Sequence, residues 1–166
     1  MAKFPKSRLA NNHRWRKYWK HPYSFRARHS RKFKKFCWSR GYVSPNFTRA
    51  EWACSDGTPV PYRLRKNAQR QAFNLELVRH KLGDRPIGGI SYYRTSSYNR
   101  QIGGATASRH VYADATDFSV ETVTRFGRNK FLAVAEKVYG RGGVGSYPSG
   151  SVHLDSRGYR ARWNSW

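Results

Sequence analysis

The chain has 166 residues, a length that fits one ordinary domain plus an arm. Its formal net charge of +24 points to a polyanionic partner (nucleic acid, anionic membrane, or a wall polymer rich in phosphate and carboxylate) and says little about fold. Two cysteines, Cys37 and Cys54, exclude a disulfide framework and form no Cys-x-x-Cys pair. No apolar run reaches transmembrane length, and no apolar h-region follows the basic N-terminus, so neither a spanning helix nor a secretory signal is expected.

Residues 1–40 form a basic-aromatic arm. Residues 1–50 carry 15 Lys or Arg and no Asp or Glu. Such a block repels itself and is expected to be extended or only partly helical. Trp15, Trp19 and the Phe33/Phe36 pair give helical hints, and Pro22 interrupts any long helix. Arm cations suit phosphates, and the interleaved aromatics suit stacking or interfacial anchoring. A globular domain is expected over 41–166. Phe47-Thr48 with Glu51 and Trp52 reads as a capping box and hydrophobic staple opening a short helix, stopped by Asp56-Gly57-Thr58-Pro59. Leu64, Ala68, Ala72, Leu75, Val78 and Leu82 recur at helical spacing up to Gly83. Ile90–Tyr93 reads as a strand, Tyr98–Ser108 as irregular, and Asp117–Val120 as a strand. Phe131–Tyr139 reads as a second core helix. Val144–Tyr147 and Ser151–Asp155 read as a hairpin around Pro148-Ser149-Gly150. The expected class is α+β: a small antiparallel sheet with flanking helices, preceded by the arm.

Two histidines and one aspartate, His110, Asp117 and His153, make a donor set suited to zinc, whose catalytic sites use three protein ligands and keep one position open. The seven-residue interval between His110 and Asp117 spans more than one helical turn, so a loop leading into a strand has to bring them together. His153 and Asp155 are two apart and face one side of a strand. Asp155 therefore either enters the pocket or orients a ligand from behind. Spacing alone leaves open a core or surface role for each histidine.

The stretch Ser108-x-His110-x-x-Ala113-x-Ala115-x-Asp117 resembles the Ser-x-His-x-x-Gly-x-Ala-x-Asp motif of the M15 zinc peptidases, which include D-alanyl-D-alanine carboxypeptidases and phage endolysin peptidases of the hedgehog/DD-peptidase fold. Further stretches match that pattern in order: Phe47-Thr48-x-x-Glu51-x-x-Cys54, Tyr93-Arg94-Thr95-x-x-Tyr98-Asn99, Gly103-Gly104-Ala105, Gly143-Val144-Gly145-x-Tyr147-Pro148 and Val152-His153-Leu154-Asp155-x-Arg157-Gly158. The resemblance covers about residues 41–163 and omits the arm. It implies one Zn2+ ion held by His110, Asp117 and His153, and Arg94 as a catalytic and substrate-binding arginine. Ser108 and Tyr147 join it in substrate binding. Two positions depart from the pattern. Ala113 replaces a glycine, and Gly150 stands where many members carry a glutamate base, which leaves Asp155 as the first candidate base and Asp114 as the second. Gly142, Gly143 and Gly145 are expected to let an extended substrate approach the backbone.

The expected function is zinc-dependent cleavage of peptidoglycan stem peptides or cross-bridges, by carboxypeptidase or endopeptidase action. The missing signal together with the resemblance suggests a phage lysis protein, held in the host cytoplasm until lysis, or a virion-associated one. The arm is expected to bind an anionic wall polymer or nucleic acid. The rival reading is a catalytically inactive, peptidase-like binding protein of the virion.

Overall fold

The computed structural model describes residues 12–164. Three short helices come first: α1 (Arg16–Lys20), α2 (Phe25–His29) and α3 (Arg31–Ser39). The Ser24 hydroxyl caps α2 by accepting from Ala27 N (3.3 Å), and Ser30 caps α3 by accepting from Phe33 N (3.2 Å). The arm is thus folded over these residues rather than extended. Its aromatics are the reason. Phe33 and Cys37, one turn apart on α3, are buried with Ala27 and Phe73, and Trp15, Tyr18, Trp19, Phe36 and Tyr42 pack around them. Each buried Phe contributes about 2–3 kcal/mol, which offsets the mutual repulsion of exposed, solvated cations.

Phe73 belongs to the long helix α4 (Arg65–Lys81), whose Ala68, Ala72, Leu75 and Val78 fill the main core as their spacing predicts. Two buried polar residues tie α4 to its neighbours. Glu76 accepts from Ser44 Oγ and from Asn46 N and Nδ2, each at 2.8 Å. It thereby fixes the small hairpin of β1 (Tyr42–Ser44) and β2 (Phe47–Thr48). Gln71 donates to the Leu154 carbonyl (2.9 Å) and accepts from Ser156 Oγ (2.6 Å).

The main sheet has the order β3 (Ala115–Phe118), β5 (Val152–Asp155), β4 (Gly143–Ser146), β6 (Ala161–Asn164). The first two pairings are antiparallel; β6 adds parallel to β4, a strand the sequence reading missed. Helices α5 (Ser96–Gln101), α6 (Val120–Arg125) and α7 (Arg128–Val138) complete the α+β fold. Asp117, His153, Gly145 and Trp163 are register partners in one row across all four strands. The next row, Thr116, Leu154, Val144 and Arg162, must point to the opposite face. There Val144 and Leu154 join Phe118, Val152 and Phe131 in the core.

Several expectations are corrected here. The capping box does form, since Thr48 N donates to Glu51 Oε2 (2.7 Å) and Glu51 N to Thr48 Oγ1 (3.1 Å), but it closes a turn, because Cys54–Thr58 turns the chain before a helix can propagate. Its staple, Phe47 against Trp52, is present at 5.8 Å between rings. Ile90–Tyr93 pairs only through the single bridge Ser91–Asp117. Part of the expected irregular stretch is α5, capped by Thr95 Oγ1, which accepts from Tyr98 N (3.1 Å). Cys37 and Cys54 are buried, free thiols. Among the described residues, no helix is long and apolar enough to cross a membrane.

Candidate metal centre

His110 lies in a 3-10 turn, Arg109–Tyr112, which ends at Ala113 in the left-handed conformation (φ 58°, ψ 23°). That residue reverses the chain into β3 and so brings Asp117 back towards His110. Ala113 therefore occupies the backbone conformation that favours the motif's glycine. Asp114 pins the turn: its carboxylate, fully buried, accepts from Arg70 (2.9 Å) and from Arg109. His153 reaches the same place from β5, directly opposite Asp117.

One ligand atom from each of His110, Asp117 and His153 lies within 4.8 Å of the others. The outer nitrogens decide how the rings present themselves. His110 Nδ1–H donates to the Tyr92 carbonyl (2.5 Å), which turns Nε2 inward, 3.1 Å from Asp117 Oδ2. His153 Nε2–H donates to Asp155 Oδ2 (3.0 Å), which turns Nδ1 inward, 2.8 Å from Asp117 Oδ1 and 3.3 Å from His110 Nε2. With both imidazole protons committed outward, two lone pairs and a carboxylate converge on one point. Such a set of acceptors calls for a cation, and two imidazoles with one carboxylate fit zinc. Burial pushes the pKa of His110 down and keeps it neutral, with Asp117 only partly opposing. Burial opposes charge on His153 too, but the carboxylates Asp117 and Asp155 at its two nitrogens outweigh that and raise its pKa, so a proton and a metal ion compete for Nδ1. Asp117, despite burial, is held well below the usual carboxylate range by its contacts with the two histidines.

Arg94 stands beside this cluster. One guanidinium nitrogen donates to Asp117 Oδ2 (2.6 Å), and Nε donates to Ser91 Oγ (2.9 Å). Arg94 N also donates to the His110 carbonyl (3.2 Å), so one segment positions both residues. Tyr147 follows β4 half-buried; burial and then the Asp117 charge raise its phenol pKa. Ser108 opens the 3-10 turn, and its hydroxyl makes no hydrogen bond among the described residues.

The two candidate bases face elsewhere. Asp155 sits behind His153, on the ring nitrogen that points away from Asp117. Its oxygens are occupied by Arg157 (2.5 and 2.8 Å) and Gly143 N (3.2 Å). Those hydrogen bonds hold its carboxyl below the usual range although burial opposes the charge. Asp114 is held by Arg70 and Arg109 on the α4 side. Gly150 has φ 84°, and a Cβ there would meet Val120 Cγ2 at 2.7 Å, so a glutamate is excluded at this position without local rearrangement. The strand glycines also have a different task from the one expected. A Cβ on Gly143 would collide with the Asp155 carboxylate, and one on Gly145 with the Trp163 indole. They make room for the protein's own side chains.

Sequence reasoning missed three contributors. The Tyr92 carbonyl is a backbone atom and leaves no residue-type signal. Trp163 packs 5.2 Å from the His153 ring, ring to ring, and depends on the unforeseen parallel strand. Arg157 braces Asp155 and was legible only as part of a motif.

Comparison with known proteins agrees with this geometry. The chain is 30% identical over 127 residues to the zinc D-Ala-D-Ala carboxypeptidase of Streptomyces albus G, which covers 74% of this chain and 46% of that protein. The chain thus matches about half the length of this relative. A sequence model of the family described as Peptidase M15 matches residues 42–155, from β1 through the end of β5 and including all three clustered residues. By that match the chain belongs to the M15 peptidase family.

Proposed function

We propose that the chain is a zinc-dependent peptidase acting on peptidoglycan stem peptides or cross-bridges, with one ion held by His110 Nε2, Asp117 and His153 Nδ1. The observation that carries this reading is the convergence of those three acceptors within 4.8 Å, both imidazole protons being engaged outside the cluster. Membership of the M15 family supports it. When bound, zinc would supply an acidified water and polarisation of the scissile carbonyl.

The chain's own residues do the rest. Arg94, with its planar fork of donors already against Asp117, holds a substrate carboxylate or the oxyanion that develops on the carbonyl oxygen. Tyr147 contributes a protonated phenol at the same edge, a donor rather than a base. Asp155 positions His153 instead of taking a proton, because its oxygens meet Nε2, Arg157 and Gly143 on the far side of the ring. The Arg157–Asp155–His153 chain then fixes the ring's tautomer.

A second reading is favoured by one observation: neither Asp114 nor Asp155 faces the cluster, and position 150 carries no glutamate. Under it the domain holds metal and binds wall peptide without turnover. Purified protein assayed on defined stem peptides, with zinc content measured alongside, separates the two. The peptidase reading expects hydrolysis that disappears on chelation and returns with zinc. Hydrolysis that persists after verified metal removal rejects a metallopeptidase, and one bound zinc with no hydrolysis selects the binding module.

A further inference from the structure

Away from the metal centre, the folded arm and α4 enclose a cleft of about 530 Å³. Arg28, Arg31, Lys34 and Lys35 line it from the arm, and Arg65, Lys66 and Arg70 line it from α4. Among the described residues no carboxylate lines it, and residues 1–50 contain no Asp or Glu. Arg70 alone of these cations is ion-paired among the described residues, to Asp114. Arg28 donates to Asn74 Oδ1 (3.3 Å), and the buried Nε of Arg65 has no partner among the described residues. Lys34 is half-buried, with its ammonium over the Phe73 ring (5.2 Å) and its carbonyl accepting from Gln69 (2.6 Å). Burial, then the neighbouring charges of Arg28 and Arg70, depress its pKa. Crowding like charges around a partly desolvated ammonium is unfavourable unless an anion compensates.

We propose that this cleft binds a phosphodiester polymer of the cell wall, of the poly(polyol phosphate) kind, and so tethers the catalytic body to its substrate. The choice of a wall polymer rests on the peptidase reading above; the anion site does not. The aromatic arrangement argues against single-stranded nucleic acid. Base recognition needs open stacking faces. Trp15, Tyr18, Trp19, Phe33 and Phe36 pack on one another at 5.3–6.5 Å between rings, and Phe73 is 1% exposed. Phe25 is exposed, with one face stacked on His29 at 4.0 Å, and lies outside the lining of the cleft. Within the groove itself the one phenyl ring, Phe73, is covered by the Lys34 ammonium, and the lining offers positive charge suited to phosphates. The site is composite: three of its seven cations belong to the helix that also braces the metal-site turn through Arg70–Asp114.

The test uses the full chain and fluorescently labelled poly(glycerol phosphate) oligomers, with single-stranded and duplex DNA of equal phosphate number as comparators. Arg28→Gln, Lys34→Gln and Arg65→Gln are combined in one variant. Arg100→Gln, Lys130→Gln and Lys137→Gln, three exposed cations elsewhere, remove the same charge in a control. Lys34→Gln alone serves if the triple variant melts early. The expected result is a loss of about tenfold or more in poly(glycerol phosphate) affinity for the cleft variant, with a log–log salt slope shallower by about 2, and little change in the control. Equal weakening of both variants would mean that net charge alone is at work and would overturn the site. Tighter, cleft-dependent binding of DNA would assign the groove to nucleic acid and overturn the wall polymer. Binding is measured without turnover, so either outcome stands apart from the hydrolysis test.

Discussion

At the scale of single residues, the centre depends on groups that lie behind its ligands. Asp155→Asn keeps the shape but not the charge that orients His153. The expected outcome is a 10–100-fold loss of zinc affinity by chelator competition, with turnover recovered at saturating zinc. Abolished turnover in a fully zinc-loaded variant would return Asp155 to the role of base. Arg94 is opposite in kind: Arg94→Ala is expected to retain zinc but lose about 10²–10³ in kcat/KM, and Arg94→Lys to rescue little, since a lysine cannot span Ser91 and Asp117 with one planar group. Ala113 carries a different lesson. Its left-handed backbone costs about 1–2 kcal/mol, but its methyl is fully buried and recovers most of that, at about 0.8 kcal/mol for the carbon and a further ~0.5–1 from the stiffer unfolded chain. Ala113→Gly should therefore shift stability by less than about 1 kcal/mol in urea unfolding. Ala113→Val, β-branched and overpacked in the same conformation, should cost about 3 kcal/mol or more.

At the scale of elements, α3 is where charge and packing compete, and packing prevails. Phe33 is fully buried against Phe73 at 6.1 Å between rings. Phe33→Ala is expected to destabilise the protein by about 3–5 kcal/mol, with arm and body still unfolding in one transition, because Phe73 lies on the core helix α4. Two separate transitions would show that the arm is an independent unit. The same competition explains what the sequence revealed and what it hid. α4 and α7 were legible because their apolar residues recur at helical spacing. β4 and β5 were legible because glycines and a turn punctuate them. The arm was not, because its like charges argue for solvation, whereas its aromatics pack on one another across separate short helices and, through Phe33, on Phe73 of α4, 40 residues away. β6 carries no strand alternation strong enough to overrule Arg160 and Arg162, and its parallel pairing with β4 is a long-range contact. The metal ligands themselves were legible as types and order; which nitrogen each histidine turns inward was not, since a backbone carbonyl settles one of the two.

At the scale of the whole molecule, two apolar clusters share one long helix: α4 gives Phe73 to the arm's cluster and Ala68, Ala72, Leu75 and Val78 to the main core. Positive charge is concentrated on the arm side and on the outer turns of α4, while the metal cluster sits across the sheet, among the carboxylates Asp117 and Asp155. Under the two proposals above, anion binding and hydrolysis fall on different surfaces. The distribution of the two thiols has a further use. Cys37 is sealed inside the arm's cluster and Cys54 inside the main core, where it accepts from Thr95 N at 3.5 Å. Burial raises the Cys37 thiol well above its ordinary range, so it stays unreactive until its surroundings open. The protein thus carries a built-in pair of chemical clocks: the labelling rate of Cys37 by an aromatic disulfide times the lifting of the arm, and that of Cys54 times the opening of the main core.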